Sequence, residues 1–252
     1  MRIDSTQPLG TPTWIELAVP DLDAGLEFYR AVFGWDVRSG PEEHGGYTNF
    51  LLRDRPVAGI LRTADPQPSA WTVSLATPDV DETVLRARQA GGTVVVEPAD
   101  VLARGWTAQL RDPVGARFAL WQGRDHVGCQ VVNEPGSLVR NDLVTPTPGP
   151  AREFYAAIFD FTVDRNEDMP EIDFTFLRRP DGHEVGGIMG APGAAASAWN
   201  TTFEVAGTDD VVQRAVDAGG SSTGVEEFRY GRIATITDPF GAEFSVITRP
   251  AQ

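Results

Sequence analysis

Between Thr11 and Trp35 the apolar positions change rhythm once. Ile15, Leu17 and Val19 alternate with Trp14, Glu16 and Ala18, the two-residue period of a strand with unlike faces. Pro20 ends that strand. Asp21 or Asp23 can then cap a helix whose Leu22, Leu26, Tyr29 and Phe33 fall on one stripe, and Gly34 stops it. Short alternating runs follow at Asp36–Arg38, Tyr47–Leu52 and Val57–Leu61. This unit is a βαβββ module.

The same rhythm returns three times. A shift of 126 residues lays Leu17, Pro20, Glu27, Phe28, Tyr29, Ala31 and Phe33 on Leu143, Pro146, Glu153, Phe154, Tyr155, Ala157 and Phe159. DPVGARF at Asp112–Phe118 likewise answers DPFGAEF at Asp238–Phe244. Within each half the repeat is fainter: PDLD at Pro20–Asp23 matches PDVD at Pro78–Asp81, and Gly34 matches Gly92. Four modules in two pairs follow, over residues 11–123 and 137–249, with 124–136 as a polar, Gly-containing linker. One βαβββ unit cannot cover both faces of its sheet. Paired modules would make a curved eight-stranded sheet around a cup, one cup per half.

Composition adds constraints. The 252 residues are 41% hydrophobic and 23% charged, which is globular. A net charge of −15 argues against nucleic acid and against an anionic membrane surface, and leaves cationic or neutral ligands preferred. All 21 basic residues are Arg, which removes Schiff-base chemistry and a P-loop lysine. Cys129 is the only cysteine, so neither an internal disulfide nor a thiolate cluster can form. No apolar run has the length of a membrane span, and MRIDSTQPLG lacks a secretory signal's apolar stretch, so a cytoplasmic protein is expected.

PDLDAGLEFYRAVFGW, WTVSLATPDVDETVLRARQAGG and DPVGARFALW together resemble the vicinal oxygen chelate superfamily, which includes glyoxalase I, extradiol dioxygenases and bleomycin-resistance proteins. The resemblance implies an α+β fold of four βαβββ modules paired into two such domains. It also implies metal-ligand positions on the cup-facing strands. Laid on this chain by motif, those positions hold Trp14, Gly59, Thr72 and Ala119 in the first half, and Arg140, Gly187, Asn200 and Ser245 in the second. None is a strong ligand for a divalent transition metal. His44, His126 and His183 fall in loops or the linker and are expected to face solvent. No metal and no cofactor is expected.

Alternation also places Glu16, Ser74 and Trp121 on the first cup's face, with Trp106 less surely there, and Asp142, Thr202, Glu204 and Glu243 on the second's. Trp71 and Trp199 then lie on the helix face. The tryptophans either fill space left by a lost metal or stack on a flat ligand. Glu16 is either a structural acceptor or an acid/base group. Arg140 and Asp142, two apart on one face, can serve each other. The first cup is therefore expected to bind, through Trp14, Glu16, Thr72, Ser74, Trp106, Ala119 and Trp121. The second, with Arg140, Asp142, Asn200 and Ser245, is expected to be a closed polar network. The leading reading is a metal-independent binding protein for a small aromatic or cationic molecule, in natural-product metabolism or drug sequestration. The alternative is a metal-independent lyase, isomerase or hydroxylase-like enzyme using Glu16, and a metal-dependent glyoxalase or dioxygenase ranks below both. A monomer or weak homodimer is expected.

Overall fold

The computed structural model describes residues 1–40, 46–63 and 69–250. His44 lies outside the described residues. The first module runs β1 (Pro12–Val19), α1 (Leu22–Phe33), β2 (Asp36–Ser39), β3 (Thr48–Leu52) and β4 (Arg55–Arg62). The second runs β5 (Trp71–Ala76), α2 (Val80–Gln89), β6 (Thr93–Asp100), β7 (Gly105–Arg111) and β8 (Arg117–Gly123). The third comprises β9 (Ser137–Thr145), α3 (Pro148–Phe159), β10 (Thr162–Arg165), β11 (Phe174–Arg178) and β12 (Glu184–Gly190). The fourth comprises β13 (Ala198–Glu204), α4 (Thr208–Asp217), β14 (Ser221–Phe228), β15 (Gly231–Thr237) and β16 (Glu243–Thr248).

Each half builds one eight-stranded sheet, in the order β2-β3-β4-β1-β5-β8-β7-β6 and β10-β11-β12-β9-β13-β16-β15-β14. The first strands of the two modules, β1 with β5 and β9 with β13, pair antiparallel at the centre. Local chemistry sets the helices. The Asp21 carboxylate accepts from Ala24 N at 3.2 Å, and Gly34 ends α1 at φ +70°, where a side chain would be strained. Among the described residues no helix is long and apolar enough to cross a membrane.

The helix faces of the two halves pack on each other, α1 beside α4 and α2 beside α3. Tyr29, Phe33, Trp35 and Trp71 of the first half meet Phe203 and Phe244 of the second in one aromatic core. Trp71 and Trp199 lie there, on the helix face, as the alternation predicts. Two reciprocal hydrogen bonds cross the boundary. Tyr29 Oη donates to Asp238 Oδ2 at 2.9 Å, and Tyr155 Oη donates to Asp112 Oδ2 at 3.0 Å. Each aspartate opens a DPxGA hairpin and takes that turn's N–H groups on its other oxygen. The two most plainly repeated motifs, EFY and DPxGA, therefore bind each other across the halves.

Residues 124–136 are not a free tether. Arg124 N and His126 N donate to Arg104 O, and the strap then runs along β1, with Cys129 N on Thr13 O at 2.7 Å. A Cβ at Gly128 would stand 2.2 Å from that Thr13 oxygen, so the close approach requires glycine. Cys129 is buried, its Sγ donating to Val57 O, and burial pushes its thiol up to about 12.

Candidate functional site

The first cup is filled from within. Trp14 is 3% exposed, and its Nε1 donates to Tyr47 Oη at 2.7 Å. Tyr47 Oη in turn donates to Glu16 Oε2 at 3.0 Å. The strap completes the filling. His126 stands edge-on to Trp14 at 4.4 Å and to Trp121 at 5.4 Å, and Trp121 Nε1 donates to His126 O. The expectation of a solvent-facing His126 is thus corrected: a hydrogen-bonded strap carries its ring between two indoles. Burial, with a smaller effect of Arg104, pushes the imidazole down to about 4.

Other first-cup candidates share that packing. Ser74 and Ala119 are buried at 3% and 2% and face each other across β5 and β8. Trp106 pairs with Gln122, whose side chain accepts from Val80 N at the start of α2. Trp106 is therefore on the helix face, not in the cup, with the Arg124 guanidinium over its ring at 5.7 Å. Glu16 and Thr72 are half-buried and border open space. Burial pushes the Glu16 carboxyl up, opposed by the Tyr47 hydroxyl.

The second cup is open, which corrects the expectation of a closed network. A cavity of about 1700 Å³ enters it and extends to the rim of the first cup. The expected polar partners do find each other. Arg140 Nε donates to both Asp142 oxygens at 2.8 and 2.7 Å, its Nη1 donates to Glu184 at 2.5 Å, and Asn200 Nδ2 donates to Ser245 Oγ at 3.0 Å. Asp142 and Glu184 hold Arg140 above its ordinary pKa against burial. The cavity beside them stays open, and Phe174 stands where the first half has Tyr47. Phe174 reaches no carboxylate and lies against Phe176 at 5.2 Å. The Arg140 guanidinium sits over both rings, at 5.4 and 5.7 Å.

Phe174, Phe176, Met169, Met189, Phe228 and Tyr230 form the apolar wall. The sequence reading missed them. Phe174, Phe176 and Arg178 alternate along β11, a legible signal of a shared face. Which face it is depends on the register Phe176–Gly187–Asp142–Asn200 across four strands.

Neither Gly59 nor Gly187 has room for a metal-ligating side chain as the strands are packed. A Cβ at Gly187 would stand 2.1 Å from the Phe174 ring, and one at Gly59 would stand 2.0 Å from Tyr47 Oη. Aromatic groups thus occupy the space beside both strand positions. In the second cup a cation, Arg140, is already held by the carboxylates. Among the described residues no three His, Cys, Asp or Glu side chains are placed to share a metal.

Paired βαβββ modules curving around cups define the vicinal oxygen chelate class. Within it, this chain belongs to the glyoxalase-like family. A profile described as a glyoxalase-like domain matches residues 14–121. "Putative glyoxylase CFP32" of Mycobacterium tuberculosis is 34% identical over 96% of this chain and 95% of its own length. "Anthracycline biosynthesis protein DnrV" of Streptomyces peucetius is 35% identical over 94% and 93%. Among solved structures, the Mn(II)-bound glyoxalase from Novosphingobium aromaticivorans superposes with a TM-score of 0.66 at 18% identity, covering 95% of this chain and 82% of that one. The 2,3-dioxygenase LapB from Pseudomonas sp. KL28 gives 0.64 at 17%, over 97% and 96%. At such identities these two establish the fold alone.

Proposed function

We propose that the protein binds a planar aromatic small molecule in its second cup, without a metal ion. The observation that carries this is the cavity walled by Phe174, Phe176, Phe228 and Tyr230, with the polar Arg140–Asp142–Glu184 cluster among its lining residues. Rings of that kind receive a flat ligand by stacking and edge contacts, and a few fixed polar groups orient it. The resemblance to a protein named for anthracycline biosynthesis supports a fused-ring ligand and a place in natural-product metabolism or drug sequestration. The reading includes a cytoplasmic monomer with no nucleic-acid or membrane partner, in keeping with the net charge of −15.

Quenching of the protein's intrinsic tryptophan fluorescence reports binding of an anthracycline aglycone. Phe174→Ala should weaken that binding by roughly three- to tenfold, the worth of one aromatic contact. Treatment with a chelator should leave it unchanged. Absence of saturable quenching, or binding lost to the chelator and restored by Mn(II), would refute the proposal.

A second reading is favoured by one observation: Glu16, its carboxyl raised by burial and held by Tyr47, borders the same cavity. There it would serve as the acid/base group of a metal-independent lyase, isomerase or hydroxylase-like enzyme. Turnover that survives Glu16→Gln would reject that role.

A further inference from the structure

The rim of the first cup carries a charge arrangement that the aromatic site does not use. Arg111 on β7 and Arg117 on β8 are directly opposite in the antiparallel register, and both border the cavity with Gln109, Thr72 and Arg62. Like charges directly opposite on a strand pair repel. Acidic residues outnumber basic ones 36 to 21 in this chain. Arg140, Arg152, Arg178, Arg179, Arg232 and Arg249 each hold a carboxylate. Among the described residues neither Arg111 nor Arg117 does. The nearest acid in the same row of the sheet, Glu16, lies beyond Thr72 and is engaged by Tyr47.

The fold does not demand the pair. The corresponding register in the second half joins Thr237 to Glu243. Two guanidinium groups on one face, with no carboxylate partner among the described residues, offer paired donors to an oxyanion.

We propose that Arg111 and Arg117, with Gln109 two residues along the same face of β7, form a second binding site, for the carboxylate or phosphate group of a small molecule. The site is independent of the aromatic cup: each can fail its test while the other passes.

The test is a titration of the full chain with sodium phosphate and, separately, sodium acetate, followed by backbone amide shifts at constant ionic strength in chloride. Saturable millimolar binding centred on β7 and β8 is expected, and the tighter of the two anions identifies the group. Arg117→Glu and Arg111→Thr install the residues of the second half, so the fold should tolerate them. Each should weaken anion binding at least tenfold while leaving aglycone binding in the second cup unchanged. Linear, unsaturated shifts in the native protein would overturn the site, as would shifts equal in native and variant proteins. Equal loss of aglycone binding in Arg117→Glu would overturn its independence.

Discussion

Tyr155→Phe and Tyr29→Phe remove one hydroxyl each from equivalent places, yet their costs should differ. Tyr29 Oη donates to the buried Asp238. Tyr155 Oη donates to the buried Asp112 and also accepts from Trp199 Nε1 at 2.9 Å. A buried polar group left without its partner costs about 1–3 kcal/mol. Tyr29→Phe strands one carboxylate oxygen, for about 1–3 kcal/mol. Tyr155→Phe strands a carboxylate oxygen and an indole N–H, for about 2–6 kcal/mol. At about 2–4 °C per kcal/mol for a chain of this size, the second variant should melt roughly 10 °C below the native protein. Urea unfolding measures both, with the midpoint shifting and the slope constant. A loss for Tyr155→Phe below about 0.5 kcal/mol, or no larger than that of Tyr29→Phe, would refute the reasoning. It would mean that these bonds do not hold the halves together.

Further outcomes follow from the same contacts. His126 titrates near 4 in the fold against an ordinary 6.5, so between these values the unfolded chain binds more protons. Its contribution is complete above pH 6.5 and is lost as pH falls toward 4, by at most about 3 kcal/mol. His126→Gln should flatten that part of the stability profile in urea unfolding at stepped pH. Gly187→Ala places a methyl group 2.1 Å from the Phe174 ring and should cost about 1–3 kcal/mol by overpacking. Adding Phe174→Ala should recover part of it in a double-mutant cycle. Arg229 and Asp168 meet at 3.2 Å between the β14–β15 hairpin and the β10–β11 loop, which supply Tyr230 and Met169 to the cavity wall. Arg229→Ala should change stability by less than about 1 kcal/mol, as for any exposed pair, but raise the aglycone dissociation rate in stopped-flow.

The sequence by itself determined the modules, their pairing and the faces of the central strands. Hydrophobic period and turn residues are local, and internal duplication shows them twice. Pro20, Asp21, Gly34 and the DPxGA hairpins marked boundaries that the structure keeps. Alternation also placed Glu16, Thr72, Asp142 and Asn200 on the cup faces, because a strand's two faces cannot exchange without a slip of register. The occupant of each cup was not local. His126 reaches Trp14 only because a strap bonded to Arg104 carries it over the first cup. Tyr47 and Phe174 occupy matching places across strands far apart in the chain, but only in the first half do Trp14, Trp121 and the strap's His126 pack in beside the ring. Burial and cavity volume belong to the whole packed molecule. They were settled when the two sheets curved and the loops closed on them.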